Sequence, residues 1–208
     1  MGLISNGTTV FDAGSMAAGF GGSMTFIKKL TASNNSTLSF VDGASGVVLD
    51  NTYKEYVFIF NNVHASAGGV NVYLQFQGSI NGGSGYGVNI TSTAFLSQHN
   101  EDDSNTNFEY KTDHDLAQST DFQELANFMG NDNDQSCSGH LTLFNPSSTT
   151  FVKQWIANTN NYTGSNFSVN FNYAGYFNTT SAINAIQFKI ASGAIASGAI
   201  KLYGIKDS

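Results

Sequence analysis

The last twenty-odd residues constrain this chain most. In Ala182–Lys206, Ile186, Phe188 and Ile190 alternate with Gln187 and Lys189, the period-2 pattern of a strand with one buried face. ASGAI then occurs twice in succession, Ala191–Ile195 and Ala196–Ile200. A second strand is expected over Ile200–Ile205, with Gly204 marking a bulge or a close backbone approach. A chain that ends inside its own core in this way reads as a closed antiparallel β-domain.

The rest of the sequence repeats that signal. Short apolar or alternating runs are expected as strands at Met24–Leu30, Thr37–Val41, Val47–Leu49, Lys54–Val63, Val70–Phe76, Val88–Leu96, His140–Pro146, Phe151–Ala157 and Asn166–Phe177. Turn-rich pieces such as ASNNS, Asp42-Gly43 and NGGSGYG separate them, with His64 read as a loop residue. With the C-terminal pair this makes about ten strands. The expected fold is all-β, an antiparallel two-sheet jelly-roll sandwich. Residues 1–22 read as a Gly-rich N-terminal arm, and residues 23–208 as a single domain.

One region breaks the pattern. Residues 101–134 hold ten of the fifteen acidic residues and read as a surface insertion. A short helix is expected within it. Asp121 and Glu124 have capping-box spacing, Phe122, Leu125 and Met129 fall on one face, and Gly130 closes it.

Composition narrows function. The net charge is −7 and all eight basic residues are Lys, so nucleic acid is not an expected partner: phosphate binding needs clustered basic charge and base readout leans on Arg. An anionic membrane surface is disfavoured for the same reason, and no apolar run is long enough to span a bilayer. No signal peptide is expected from MGLISNGTTVF. Cys137 is alone, so no intrachain disulfide forms. Only 11% of residues are charged, and Asn, Ser, Thr and Gly must supply much of the polar surface.

Candidate sites are few. Asp132 and Asp134 begin an EF-hand-like spacing and are calcium candidates, although Cys137 stands where that loop needs Gly and Leu143 where it needs Glu. His99, His114 and His140 match no compact zinc motif. No G-x-S-x-G precedes a helix, the glycine loop Asn81–Gly87 lacks the Lys of a phosphate loop, and no carboxylate pair stands out, so no enzyme activity and no catalytic residue are expected. Trp155, Tyr162 and Tyr176, in an Asn-rich setting, are candidates for carbohydrate binding; the competing reading puts Trp155 and Tyr173 in the core.

Two stretches carry a resemblance. The ending IASGAIKLYGIK, with SGHLTLFNPSSTTFVKQW upstream, resembles the jelly-roll domains of tailed-bacteriophage virion proteins of the marine podovirus-like kind. The opening MGLISNGTTVFDAGSMAAGFGGSMTFIKKL and the segment LSFVDGASGVVLDNTYKEYVFIFNNVH are similar to such proteins too. The resemblance implies a virion structural protein without cofactor, acting as a tail fibre, tail appendage or capsid decoration. Its implied partners are other virion proteins, further copies of itself in a homo-oligomer (a trimer by analogy with fibres), and a glycan of the host cell surface. A soluble lectin-like module is the alternative.

Overall fold

The computed structural model describes residues 3–12, 15–16 and 23–207. Its elements are β1 (Leu3–Ser5), β2 (Thr8–Asp12), β3 (Ser15–Met16), β4 (Met24–Thr31), β5 (Thr37–Val41), β6 (Glu55–Ala65), β7 (Leu74–Ser79), β8 (Ile90–Asn100), β9 (Thr106–Tyr110), β10 (Gln123–Ala126), β11 (Cys137–Phe144), β12 (Lys153–Tyr162), β13 (Phe167–Phe177), β14 (Ala185–Ile190) and β15 (Ile195–Ile205). No helix occurs among the described residues. The strands β1, β2 and β3 form a small antiparallel sheet within the N-terminal arm. The rest of the arm lies outside the described residues.

Two antiparallel sheets make the sandwich. The small one runs β10-β7-β14-β5, and the large one β4-β15-β6-β11-β12-β13-β8-β9. Eight strands, β4, β5, β6, β7, β10, β11, β14 and β15, define its topology. Counted along the chain, they lie first-eighth-third-sixth in one sheet and second-seventh-fourth-fifth in the other. That is the double Greek key of a jelly roll. Two hairpins are inserted into it, β8–β9 between β7 and β10, and β12–β13 between β11 and β14. They pair with each other through β8 and β13 and widen the large sheet.

Alternation explains the core. Tyr56, Phe58 and Phe60 on β6 point inward, and Phe40, Phe76 and Phe188 of the small sheet meet them. Phe188 packs edge-on against Phe58 at 5.3 Å and Phe60 at 5.4 Å, a favoured arrangement for ring quadrupoles. The strands β14 and β15 belong to opposite sheets, so the first ASGAI carries the chain across the sandwich and the second lies within β15, which starts earlier than the expected Ile200. Ile195, Ile200 and Leu202 are buried. Gly204 is a close approach: a Cβ there would lie 2.3 Å from the Tyr53 ring.

Several expectations need correction. Residues 121–130 contain a strand and no helix. Gln123 and Leu125 point into the core, and the open edge of β7 supplies the hydrogen-bonding partner that overrides the weak helical pattern. The acidic stretch is more than a surface excursion, because β9 extends one sheet, β10 the other, and Leu125, Ala126 and Met129 are buried. His64 lies near the end of β6, not in a loop. Strand β7 begins at Leu74, leaving Val70 exposed, and β12 begins at Lys153, leaving Phe151 exposed.

Candidate functional site

The inserted hairpins determine where a site can form. The inner faces of β8, β12 and β13 pack on the core, so alternate residues of these strands, with those of β11 and β9 at either side, point outward over a broad face. Register places these outward residues in rows across the strands. One row is Thr142, Ile156, Ala174 and Thr93, and the next is His140, Asn158, Asn172, Phe95 and Tyr110. A third is Ser138, Asn160, Asn170, Ser97 and Phe108.

The middle of this face is a ladder of amides. Asn158 Nδ2 donates to Oδ1 of Asn172 at 2.8 Å and of Asn170 at 3.1 Å, and Asn172 Nδ2 donates to Asn170 Oδ1 at 3.0 Å. Asn170 Nδ2 also donates to the backbone oxygen of Thr159 at 3.0 Å. These bonds hold the amides in fixed orientations without using all their capacity. Asn172 Nδ2 makes one of its two donations, and Asn160 Nδ2 has no protein acceptor among the described residues.

Apolar groups flank the ladder. On the β9 side stand Phe95, Phe108 and Tyr110, which are 38%, 71% and 50% exposed, with the Phe95 and Phe108 rings 5.8 Å apart. Tyr110 donates to Asp115 Oδ2 at 2.6 Å, and that carboxylate raises the pKa of the phenol. On the other side a depression of about 350 Å³ is floored by Ala174 and walled by Ile156, Tyr176, Phe144 and Gln154. Between β11 and β9 the outward residues include no Asp, Glu or Lys.

The sequence candidates divide on this frame. Tyr176 lines the depression, and Tyr162 lies at the opposite end of the same face, its hydroxyl 3.2 Å from Asn166 Oδ1. A hydrogen bond with the Glu101 carboxylate raises the Tyr162 pKa. Trp155 must be corrected. It is 1% exposed, packs edge-on against Phe76 at 5.0 Å, and passes beneath Gly175, where a Cβ would lie 2.6 Å from its ring. A buried ring offers no face to a sugar. Phe95, Phe108 and Tyr110 were missed, although F-x-Y alternation in TNFEY puts Phe108 and Tyr110 on one face.

The metal candidates are not assembled. Asp132 and Asp134 are both exposed on a turn closed by Gln135, whose N–H donates to the Asp132 carbonyl at 2.9 Å. Among the described residues no group of three or more His, Cys, Asp or Glu side chains that could hold a metal ion gathers there.

A separate polar cluster lies between the sheets. Asn127 accepts the Phe128 N–H at its Oδ1, 2.5 Å away, which turns its Nδ2 toward His114 Nε2 at 3.0 Å. Nε2 must therefore accept, and Nδ1 carries the proton donated to Glu124 Oε2 at 2.5 Å. Gln123, Thr159 and Asn161 complete the cluster through backbone carbonyls. It contains no Ser or Cys nucleophile in contact with the imidazole, and its bonds tie the 114–127 segment to the sheets.

The fold and this face define a jelly-roll domain with a widened, uncharged outer surface. No protein family, curated protein or solved structure matches the chain.

Proposed function

We propose that this chain is a structural protein of a bacteriophage particle, a tail fibre, tail appendage or capsid decoration component that assembles as a homo-oligomer and contacts the host surface. The observation that carries the reading is the jelly-roll strand order, an architecture recurrent in viral coat and lectin domains. The sequence likeness of the C-terminal strand and of the GHLTLFNP strand to phage virion domains supports it. Fold alone does not assign a role, so the particle must be tested directly.

The half of the large sheet away from the inserted hairpins supports assembly with neighbours. There Phe26, 55% exposed, packs edge-on to Tyr203 at 5.6 Å, with Val57 beside it in register. The free edge of β4 carries Lys28, Lys29 and a bulge, devices that discourage strand addition. Neighbouring subunits would accordingly meet this sheet by its face. Immunogold electron microscopy of purified particles with antibody against the chain tests the reading. Label on the tail or its fibres gives an adsorption role, and label on the head gives a decoration role. No label on intact or disrupted particles overturns the proposal.

A further inference from the structure

We infer that the outer face of β12, β13, β8 and β9 is a binding site for a neutral oligosaccharide, with Phe95 and Phe108, the Asn158–Asn170–Asn172 ladder, and Tyr176 as its principal groups. The inference deepens the host-contact part of the function proposed above by naming the ligand class and the surface.

Three properties of the face point to that ligand. The first is its order across the strands. Aromatic rings on β8 and β9 give way to amides on β13 and β12, and one row along to the apolar depression at Ala174 and Tyr176. Adjacent strands lie about 5 Å apart, so the step from the Phe95 ring to the Asn172 amide is on the scale of a single sugar ring. A pyranose has the matching chemistry: C–H faces that pack on rings, and hydroxyls that both donate to and accept from amides.

The second property is preorganisation. The Asn side chains are already oriented by one another and by the Thr159 carbonyl, so little side-chain freedom is lost on binding. Their spare donors, on Asn172 and Asn160, suit a hydroxylated ligand. A dry protein interface would leave those donors unpaired at a cost, which disfavours a second copy of this chain as the occupant.

The third is charge. The chain carries −7 overall, yet this face has no carboxylate or amine among its outward residues, only His99 and His140 as titratable side chains besides tyrosine. Acidic residues stand at its border, among them Asp115 beside Tyr110 and Asp103 beside His99 at 2.9 Å. A neutral surface rimmed with negative charge complements an uncharged glycan and repels sulfated, sialylated or phosphorylated ones.

The test uses the full chain on a panel of neutral hexose and N-acetylhexosamine oligosaccharides, with sulfated and sialylated glycans alongside. The expected result is saturable binding to a neutral glycan, with affinity insensitive to salt. Phe108→Ala and Tyr176→Ala should each weaken it about tenfold or more, roughly 1.4 kcal/mol. Phe151→Ala, equally exposed but outside the face, should leave it unchanged. Unaltered thermal unfolding of each variant separates loss of contact from loss of fold. Binding to no glycan, to charged glycans alone, or with equal strength in both face variants overturns the inference. So does sedimentation showing that Phe108→Ala dissolves an oligomer. Because the panel needs no particle, its failure leaves the immunogold result standing, and the reverse also holds.

Discussion

Gln77 is the residue whose loss should reveal how the inserted hairpin is anchored. It is fully buried on β7, next to the Phe76 core contact. Its Nε2 lies 2.8 Å from the Asp121 carbonyl, 3.1 Å from Val88 and 3.2 Å from Thr120, while its Oε1 accepts the Gly78 N–H at 2.7 Å. One side chain thus clamps both ends of the excursion that contains β8 and β9. Two amide protons and one acceptor make about three net hydrogen bonds at about 1 kcal/mol each, so Gln77→Leu should cost about 3 kcal/mol. For a domain of this size that lowers Tm by roughly 6–12 °C. Gln77→Glu is the sharper test, because it keeps the acceptor but sets a carboxylate against three carbonyl oxygens. Burial and those oxygens raise the folded-state pKa of the introduced glutamate above its unfolded value of about 4.3. The stability of the protonated form is then fully present below that pH and lost as pH rises through the raised value. Urea unfolding should find Gln77→Glu closer to wild type near pH 4 than at pH 7, with wild type measured at both. Wild-type stability in Gln77→Leu, or a deficit in Gln77→Glu that does not grow with pH, would refute the clamp.

Further predictions concern other buried groups. Burial pushes the Cys137 thiol up to about 12, so a thiol reagent at neutral pH should leave the native protein unmodified and label it only as denaturant unfolds it; fast native labelling would contradict this. Lys153 is fully buried, donates to the Phe151 and Thr179 carbonyls at 2.7 and 3.1 Å, and has its pKa lowered by desolvation. Folding therefore penalises its charged form, a penalty relieved as pH rises from the lowered value toward the unfolded value of about 10.4. Lys153→Met should remove that alkaline gain relative to wild type, read from paired stability-against-pH curves; parallel curves would refute it. Gly204→Ala should cost about 1–3 kcal/mol by displacing the Tyr53 ring, and Tyr53→Leu in the same chain should recover part of it; an additive double variant would argue against the contact. Nitrogen-15 NMR should find the His114 proton on Nδ1, and a proton on Nε2 alone would overturn the assigned hydrogen-bond pattern.

The strands that could be read from the sequence are those whose alternation is long enough to have one interpretation. Val169, Phe171 and Tyr173 are buried on one face as their spacing requires, and so are Ile186, Phe188 and Ile190 apart from Ile186 sharing its burial with Ala185. Strand β10 was not legible because Gln123 and Leu125 alternate over only three residues, and the same segment fits a helical face. Its hydrogen-bonding partner, β7, lies far back in the chain, so tertiary pairing decided between the two. Trp155 sits beside an equally apolar Ile156, and only packing settles which one turns inward. The outer face was half legible. Tyr162 and Tyr176 are near the Asn-rich strands in sequence, whereas Phe95, Phe108 and Tyr110 come from the other inserted hairpin and reach it through the β8–β13 pairing.

That pairing also explains why a chain so poor in charge gathers its acidic residues in one segment. Widening the large sheet by four strands leaves the small sheet too narrow to cover it. The stretch from Lys111 to Gln135 fills the gap on the inner side. Gln123 Oε1 accepts from Ser92 at 2.5 Å, Leu125 O accepts from Thr159, and Asn127 O accepts from Asn161 at 2.6 Å, so the segment is bonded to β8 and β12 by side chains where no strand pairs. Its apolar and amide residues face the sheet, and its carboxylates, apart from the Glu124 held by His114, are largely left to solvent. Covering the inner face in this way frees the outer one from any structural duty. Its amides and rings are then held in place by one another and by the sheet beneath, so substitutions there should alter recognition at small cost to the core.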